Sequence, residues 1–177
     1  MFDNMKERMN AAGVFEYGFV NPKEVEYSEE IRKMCEVNTC QKYGTTWACP
    51  PAIGTVDECA ERAKKYDDML VFSGKYDLED SFDYEGMMRA MTEFKTIVGN
   101  IDDDICKDLD DYLLLGNEGC GHCKTCAYPE PCRLPDKVNG AIEGYGILVT
   151  TLAKQAGINY NNGVNTLTFF GALLYNK

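Results

Sequence analysis

The sequence predicts a single α/β (or α+β) domain over residues 1–177, with a small sheet of about four strands, helices packed on it and two cysteine loops. Three observations carry this. The chain has 177 residues, 45% of them apolar, enough to build one full core. From Val14 onward, short apolar runs and segments with three-and-four apolar spacing follow in the order β, α, α, β, α, β, α, β, which suits one sheet with helices packed on it. Seven of the nine cysteines fall in two loop-like clusters.

Met1–Ala12 reads as a short amphipathic helix ended by Gly13, and Val14–Val20 as a strand. Ser28 is placed to cap a short helix that carries Glu29 and Glu30 in its first turn and runs to about Val37. The first cysteine loop then extends to Pro50 and Pro51, which stop any regular element. Thr55 caps the next helix, with Asp57 and Glu58 in its first turn and Val56, Cys59, Ala63, Tyr66 and Leu70 at helical spacing. Cys59 lies on that apolar stripe and reads as a core residue.

Met69–Ser73, bounded by Gly74, predicts a strand. Tyr84, Met87, Met88, Met91, Phe94, Val98, Ile101, Ile105, Leu109 and Tyr112 keep a three-and-four spacing. They predict one long helix, or two broken at Gly99–Asn100, with the methionines as core filling. Cys106 falls beside the same stripe and also reads as core. Leu113–Leu115 is a strand leading into the second cysteine loop. Asn139–Ala156 reads as a helix ended by Gly157, Asn159–Asn165 as a polar turn and Leu167–Tyr175 as the closing strand.

The net charge is −11 and no run of Lys or Arg exceeds two residues, so no nucleic-acid partner is expected. The acidic stretches Glu79–Glu85 and Asp102–Asp111 read as solvated helix faces, with an electrostatic dock for a basic redox partner as the alternative. Carboxylate pairs such as Asp102–Asp104 carry little information in so acidic a chain. Met1–Asn10 is mostly charged or polar, unlike a secretory leader. The longest apolar stretch, Leu167–Tyr175, falls far short of the ~20 residues that cross a bilayer. The expectation is a cytoplasmic protein with no membrane partner, whose cysteines stay reduced and favour metal over disulfides.

The second loop reads C-G-H-C-K-T-C-A-Y-P-E-P-C-R from Cys120 to Arg133. Two consecutive C-x2-C steps put Cys120, Cys123 and Cys126 on one tight loop, suited to three corners of a 4Fe–4S cluster with the fourth ligand coming from further away. Zinc sites usually pair two separate C-x2-C knuckles, so iron–sulfur is preferred and Zn2+ is the alternative. The first loop supplies Cys35, Cys40 and Cys49. Cys35 also sits at helical spacing from Ile31, which leaves it a core reading, and Trp47 stands ready to shield a cluster from water. In bacterial ferredoxins a Cys beside a Pro ligates the cluster of the other motif. By that rule Cys49, before Pro50, completes the cluster of Cys120, Cys123 and Cys126, and Cys132 joins Cys35 and Cys40 in a site one thiolate short. His122, the single histidine, is expected as a hydrogen-bonded loop residue, with an unusual ligand or proton donor as the alternative. No phosphate-binding glycine loop and no G-x-S-x-G is present.

Over Cys40–Pro51 (C-Q-K-Y-G-T-T-W-A-C-P-P), Cys123–Pro135 (C-K-T-C-A-Y-P-E-P-C-R-L-P) and the E-x-x-G-I of Glu143–Ile147, the chain resembles a family of predicted metal-binding proteins, domain of unknown function 2284. With Cys59 after Pro51, the resemblance spans most of Cys35–Val149. The resemblance implies cysteine ligands for iron–sulfur and no particular reaction. The family tends to have Ser-Met before the Glu and Asp after Gly-Ile. Here Ala141, Ile142 and Leu148 stand instead, so a role for that Ser or Asp does not carry over. The function expected is electron transfer to an unidentified redox partner protein. The rivals are a zinc-stapled interaction module and a metalloenzyme with an open iron.

Overall fold

In the computed structural model, which describes residues 4–176, a five-stranded mixed sheet carries helices on both faces, an α+β arrangement. The elements are α1 (Met5–Ala12), β1 (Glu16–Val20), α2 (Glu29–Glu36), α3 (Val56–Ala63), β2 (Asp68–Asp77), α4 (Tyr84–Asp104), β3 (Tyr112–Gly116), β4 (Gly140–Ala141), α5 (Val149–Ala156) and β5 (Thr166–Tyr175). The strand order is β1-β2-β5-β3-β4. The first three pairings are antiparallel and β3–β4 is parallel. Register follows the period of two along each strand: Val71 faces Ala172, and Leu114 faces Leu173.

Alternation divides the apolar residues between two cores. Met69, Val71, Leu115, Ala172 and Leu174 face α3 and α5, whose Cys59, Ala63, Leu152 and Ala153 are buried against them. Leu70, Phe72, Leu114 and Leu173 face α1 and α4, where Met9, Phe94, Ile97 and Ile101 close the second layer with Cys106. Both cysteines read as core are thus in the core. Gly18 lets β1 meet α5 directly, because a Cβ there would lie 1.9 Å from the Ala156 carbonyl oxygen.

Several boundaries differ from the sequence reading, each for a physical reason. The helix begun at Val56 ends at Ala63, and Tyr66 and Leu70 lie in the following turn and in β2. β2 runs on through Gly74, where the missing side chain makes room for Tyr76 and Phe94. α4 runs unbroken through Gly99–Asn100. A glycine costs ~1 kcal/mol against Ala, whereas burying Phe94, Ile97 and Ile101 gains about 1.5–3 kcal/mol each. Met87, Met88 and Met91 are not core filling: Met88 is exposed, Met87 and Met91 are only half-buried, and Gly86, Ala90 and Phe94 make the buried stripe at this end of α4. The fifth strand, β4, and a short 3-10 turn over Glu143–Tyr145 occupy the start of the segment read as helix from Asn139. Gly140, Gly144 and Gly146 disfavour helix there. Gly146 takes φ +76°, and a Cβ would lie 2.7 Å from the Ser28 carbonyl oxygen.

The caps fall as the sequence predicts. Ser28 Oγ accepts the Glu30 N–H at 3.2 Å. Thr55 and Glu58 form a reciprocal capping box at 3.2 and 2.7 Å. α2 is seated by Arg32, which is buried and donates to the Gly144 carbonyl at 2.7 Å and to that of Gly54.

Candidate metal centre

Arg32 sets the position of the first cysteine, since Cys35 lies on the last turn of the helix it anchors. The chain then turns through three left-handed positions, Asn38 (φ 58°), Gln41 (φ 59°) and Gly44 (φ 65°). Asn and Gly adopt this region readily. Asn38 Oδ1 accepts the Tyr43 N–H at 3.0 Å, and Gly44 N–H donates to the Pro50 carbonyl at 2.8 Å. The loop is thereby folded back on itself.

The second loop leaves β3 through Asn117, Glu118 and Gly119, the last at φ 65°. Arg133 donates to the Thr125 carbonyl at 2.9 Å and closes the cysteine-bearing turn. Lys137 pins its exit through a 3.2 Å ion pair with Asp102 of α4, which also accepts from the Tyr112 hydroxyl. Asp102 is buried, so this member of the acidic stretch is an internal anchor rather than part of a solvated face.

The two loops meet, as the sequence reading expects. Trp47 Nε1 donates to the Glu130 carbonyl at 2.8 Å, and its ring packs edge-on to Tyr128 at 5.2 Å. The Ala141 N–H of β4 donates to the Ala48 carbonyl at 3.1 Å, so the sheet itself holds the residue before Cys49.

The seven cysteines line two cavities. Cys120, Cys123, Cys126 and Cys132 line one of about 310 Å³, together with His122, Thr46 and Trp47. Cys35, Cys40 and Cys49 line another of about 390 Å³, with Asn117, Glu118 and Glu143. Lys42 and Glu118 belong to both walls, so the cavities adjoin. This differs from the expected pairing. Cys49 lies with Cys35 and Cys40, while Cys132 stays with the triple of its own loop. The left-handed turns curl the first loop onto itself, and Arg133 does the same for the second. Cys49 still touches the second loop, where the Gly119 N–H favours its thiolate.

Burial dominates the electrostatics of the three-cysteine cavity. It pushes the Cys35 thiol up to about 11, with like charge from Glu143 and Cys49 adding to it. Burial also raises Cys49, opposed by the Thr46 hydroxyl and the Gly119 N–H. Glu143, open to solvent on one side, has its carboxyl raised by the protein packed on the other. At Cys35 and Cys49 the neutral thiol is therefore favoured until a cation arrives to compensate the thiolate.

The chemistry of the donor set suits a thiolate-bound metal group. Asn117 is 8% exposed, and its Nδ2 donor has no hydrogen-bond partner among the described residues, yet it lines the three-cysteine cavity. Buried N–H donors beside thiolates are what an iron–sulfur site uses to stabilise its negative charge. The Thr46 hydroxyl, buried without a partner of normal hydrogen-bond geometry, lines the four-cysteine cavity. Among the described residues no group of three or more His, Cys, Asp or Glu side chains is already placed to hold a metal ion.

His122 Nε2 lies 3.2 Å from Asn139 Nδ2, as expected of a hydrogen-bonded loop histidine; with the amide donating, the ring proton is on Nδ1. The sequence reading missed Asn117 and Glu118, and it took Asp102 for part of a solvated face. Nothing in their spacing marks them, because each enters through the turn of β3 into the loop or through α4. Glu143 had a signal, since it opens the E-x-x-G-I motif.

No helix among the described residues is long and apolar enough to cross a membrane. No curated protein and no solved structure shows significant similarity to the chain. A family model does, over residues 18–175, which include both cysteine loops and the whole sheet. With seven thiols gathered on two adjoining cavities, the chain belongs to the family of predicted metal-binding proteins designated DUF2284.

Proposed function

We propose that the protein is a cytoplasmic iron–sulfur protein that passes electrons to or from a partner protein. The observation that carries this is the division of seven thiols between two adjoining cavities. A zinc ion holds its thiolates at ~2.3 Å around one point. Here the thiols surround spaces of about 310 and 390 Å³, room for a polynuclear cluster. Cys120, Cys123, Cys126 and Cys132 supply four ligands for one 4Fe–4S cluster. Cys35, Cys40 and Cys49 supply three for a second, with Glu118 or Glu143 at hand as an oxygen donor. Bound clusters supply one-electron redox chemistry.

The chain's own residues do the rest. Asn117 donates toward the three-cysteine cavity, Trp47 screens the four-cysteine cavity from water, and Lys42 places positive charge on the wall common to both. The net charge of −11 suits a partner with a basic face.

The test is iron and acid-labile sulfide analysis of anaerobically purified protein, with its absorption spectrum. A brown preparation with broad absorption near ~400 nm and matching iron and sulfide is expected. A colourless preparation with stoichiometric zinc and no labile sulfide would overturn the redox reading and favour the structural one.

A further inference from the structure

A third cavity, of about 660 Å³, holds none of the clustered cysteines except Cys132. It lies beside the four-cysteine cavity and shares the wall made by Trp47, Cys132 and Val138. Its volume falls within the range of small-molecule sites.

Arg62 of α3 is its distinctive group. The guanidinium is half-buried, donates to the Tyr145 hydroxyl at 2.7 Å and to the Ile53 carbonyl at 3.1 Å, and lies 5.5 Å from the centre of the Tyr145 ring. Among the described residues no carboxylate comes within ion-pair distance of it. Like Arg32 it bonds neutral oxygens, and the charge of Glu58, one helical turn back, reaches it only through space; unlike Arg32 it lines a cavity, where an anionic ligand would meet a cation already partly desolvated. Tyr145 is 2% exposed. Its oxygen accepts from Arg62, which leaves its own O–H free to donate.

The other charges in the wall are accounted for. Lys137 is paired with Asp102, and Asp136 is exposed at the rim. One free guanidinium with a carboxylate at the rim suits a single planar negative charge better than a phosphate dianion. The remaining wall is mostly apolar, with Asn139 and the rings of Trp47, Tyr66 and Tyr112, whose two tyrosine hydroxyls donate to Asp111 and Asp102.

We propose that this cavity binds a small aromatic carboxylate, its carboxylate held by Arg62 and Tyr145 and its ring among Trp47, Tyr66 and Tyr112. The ligand would sit against the wall of the four-cysteine cavity. The site rests on geometry alone and does not require the metal to be iron.

The probe is 2-naphthoate, with the neutral 2-naphthamide as its match, titrated into the purified full chain by calorimetry. Trp47 is the single tryptophan, so its fluorescence reports the same cavity. Naphthoate should bind about ten-fold or more tightly than the amide, as expected for a charge-assisted bond. The Trp47 signal should saturate at the same midpoint. Arg62→Gln should reduce naphthoate to the affinity of the amide while leaving the amide unchanged. Tyr145→Phe should weaken naphthoate several-fold.

Equal binding of the two compounds by the wild-type chain would overturn the proposal. So would no binding up to millimolar concentration, or binding that leaves Trp47 unaffected. The wild-type comparison decides the matter even where Arg62→Gln does not fold. Metal analysis of the same preparation keeps the two ideas apart, since a zinc protein that discriminates the two compounds refutes the redox reading and leaves this one standing.

Discussion

Replacing Cys59 by Ala separates ligand from core. Cys59 is fully buried on α3, packed with the sheet face that carries Met69 and Leu115, and its Sγ lies 3.6 Å from the Ile53 carbonyl oxygen. Removing one sulfur deletes a group of about methylene size, worth ~0.8 kcal/mol of transfer. The void left behind adds ~24 cal/mol per Å³ where the site does not collapse. The Ile53 carbonyl is not orphaned, because Arg62 still donates to it at 3.1 Å. The sum is a loss of about 1–1.5 kcal/mol, which for a domain of this length lowers Tm by about 2–6 °C. Differential scanning calorimetry reads that shift, and iron and sulfide analysis of the same sample should show no change in metal content. Loss of metal from a folded Cys59→Ala protein would make Cys59 a ligand and refute the division of cysteines between core and cavities.

Three further outcomes are expected. Cys123→Ser or Cys126→Ser should strip metal from the four-cysteine cavity, read by the same metal analysis, since a hydroxyl is a far poorer soft-metal ligand than a thiolate. Gly18→Ala should destabilise by about 2–3 kcal/mol in urea titration, because its Cβ would collide with the Ala156 backbone oxygen rather than with a movable side chain. Asp104, which accepts from Arg8 at 2.8 Å, has its carboxyl held below the ordinary value of 3.8 by that bond. Its contribution is present above the unfolded pKa and lost as pH falls through the lower folded one. The urea midpoint of Asp104→Asn should therefore lie below wild type at neutral pH and converge with it in strong acid. A gap that persists there would exclude this ion pair as its cause.

Legibility in the sequence followed the range of the interaction. The caps at Ser28 and Thr55 and the glycine stops at Gly13 and Gly157 are set by groups within a few residues, and they appear where the sequence predicts them. The period-two and period-3.6 patterns likewise placed β1, β3, β5 and the core cysteines. The methionines of α4 misled because the buried stripe falls one position to the side of them, on the small residues Gly86 and Ala90. β4 was hidden because a two-residue strand has no periodicity, and only its pairing with Leu115 and Gly116 defines it.

By itself the sequence determined the donor chemistry: seven thiols near one another in two stretches of chain, all but Cys35 outside any periodic element. Which thiols share a cavity was decided by tertiary structure alone. That choice depends on left-handed turns at Asn38, Gln41 and Gly44, on Arg32 seating α2, and on Trp47 reaching Glu130 across 83 residues. The unpaired Arg62 beside those cavities is of the same kind. Its place is set by α3 packing on the sheet, and a pattern local in the chain has no access to what lies across a core.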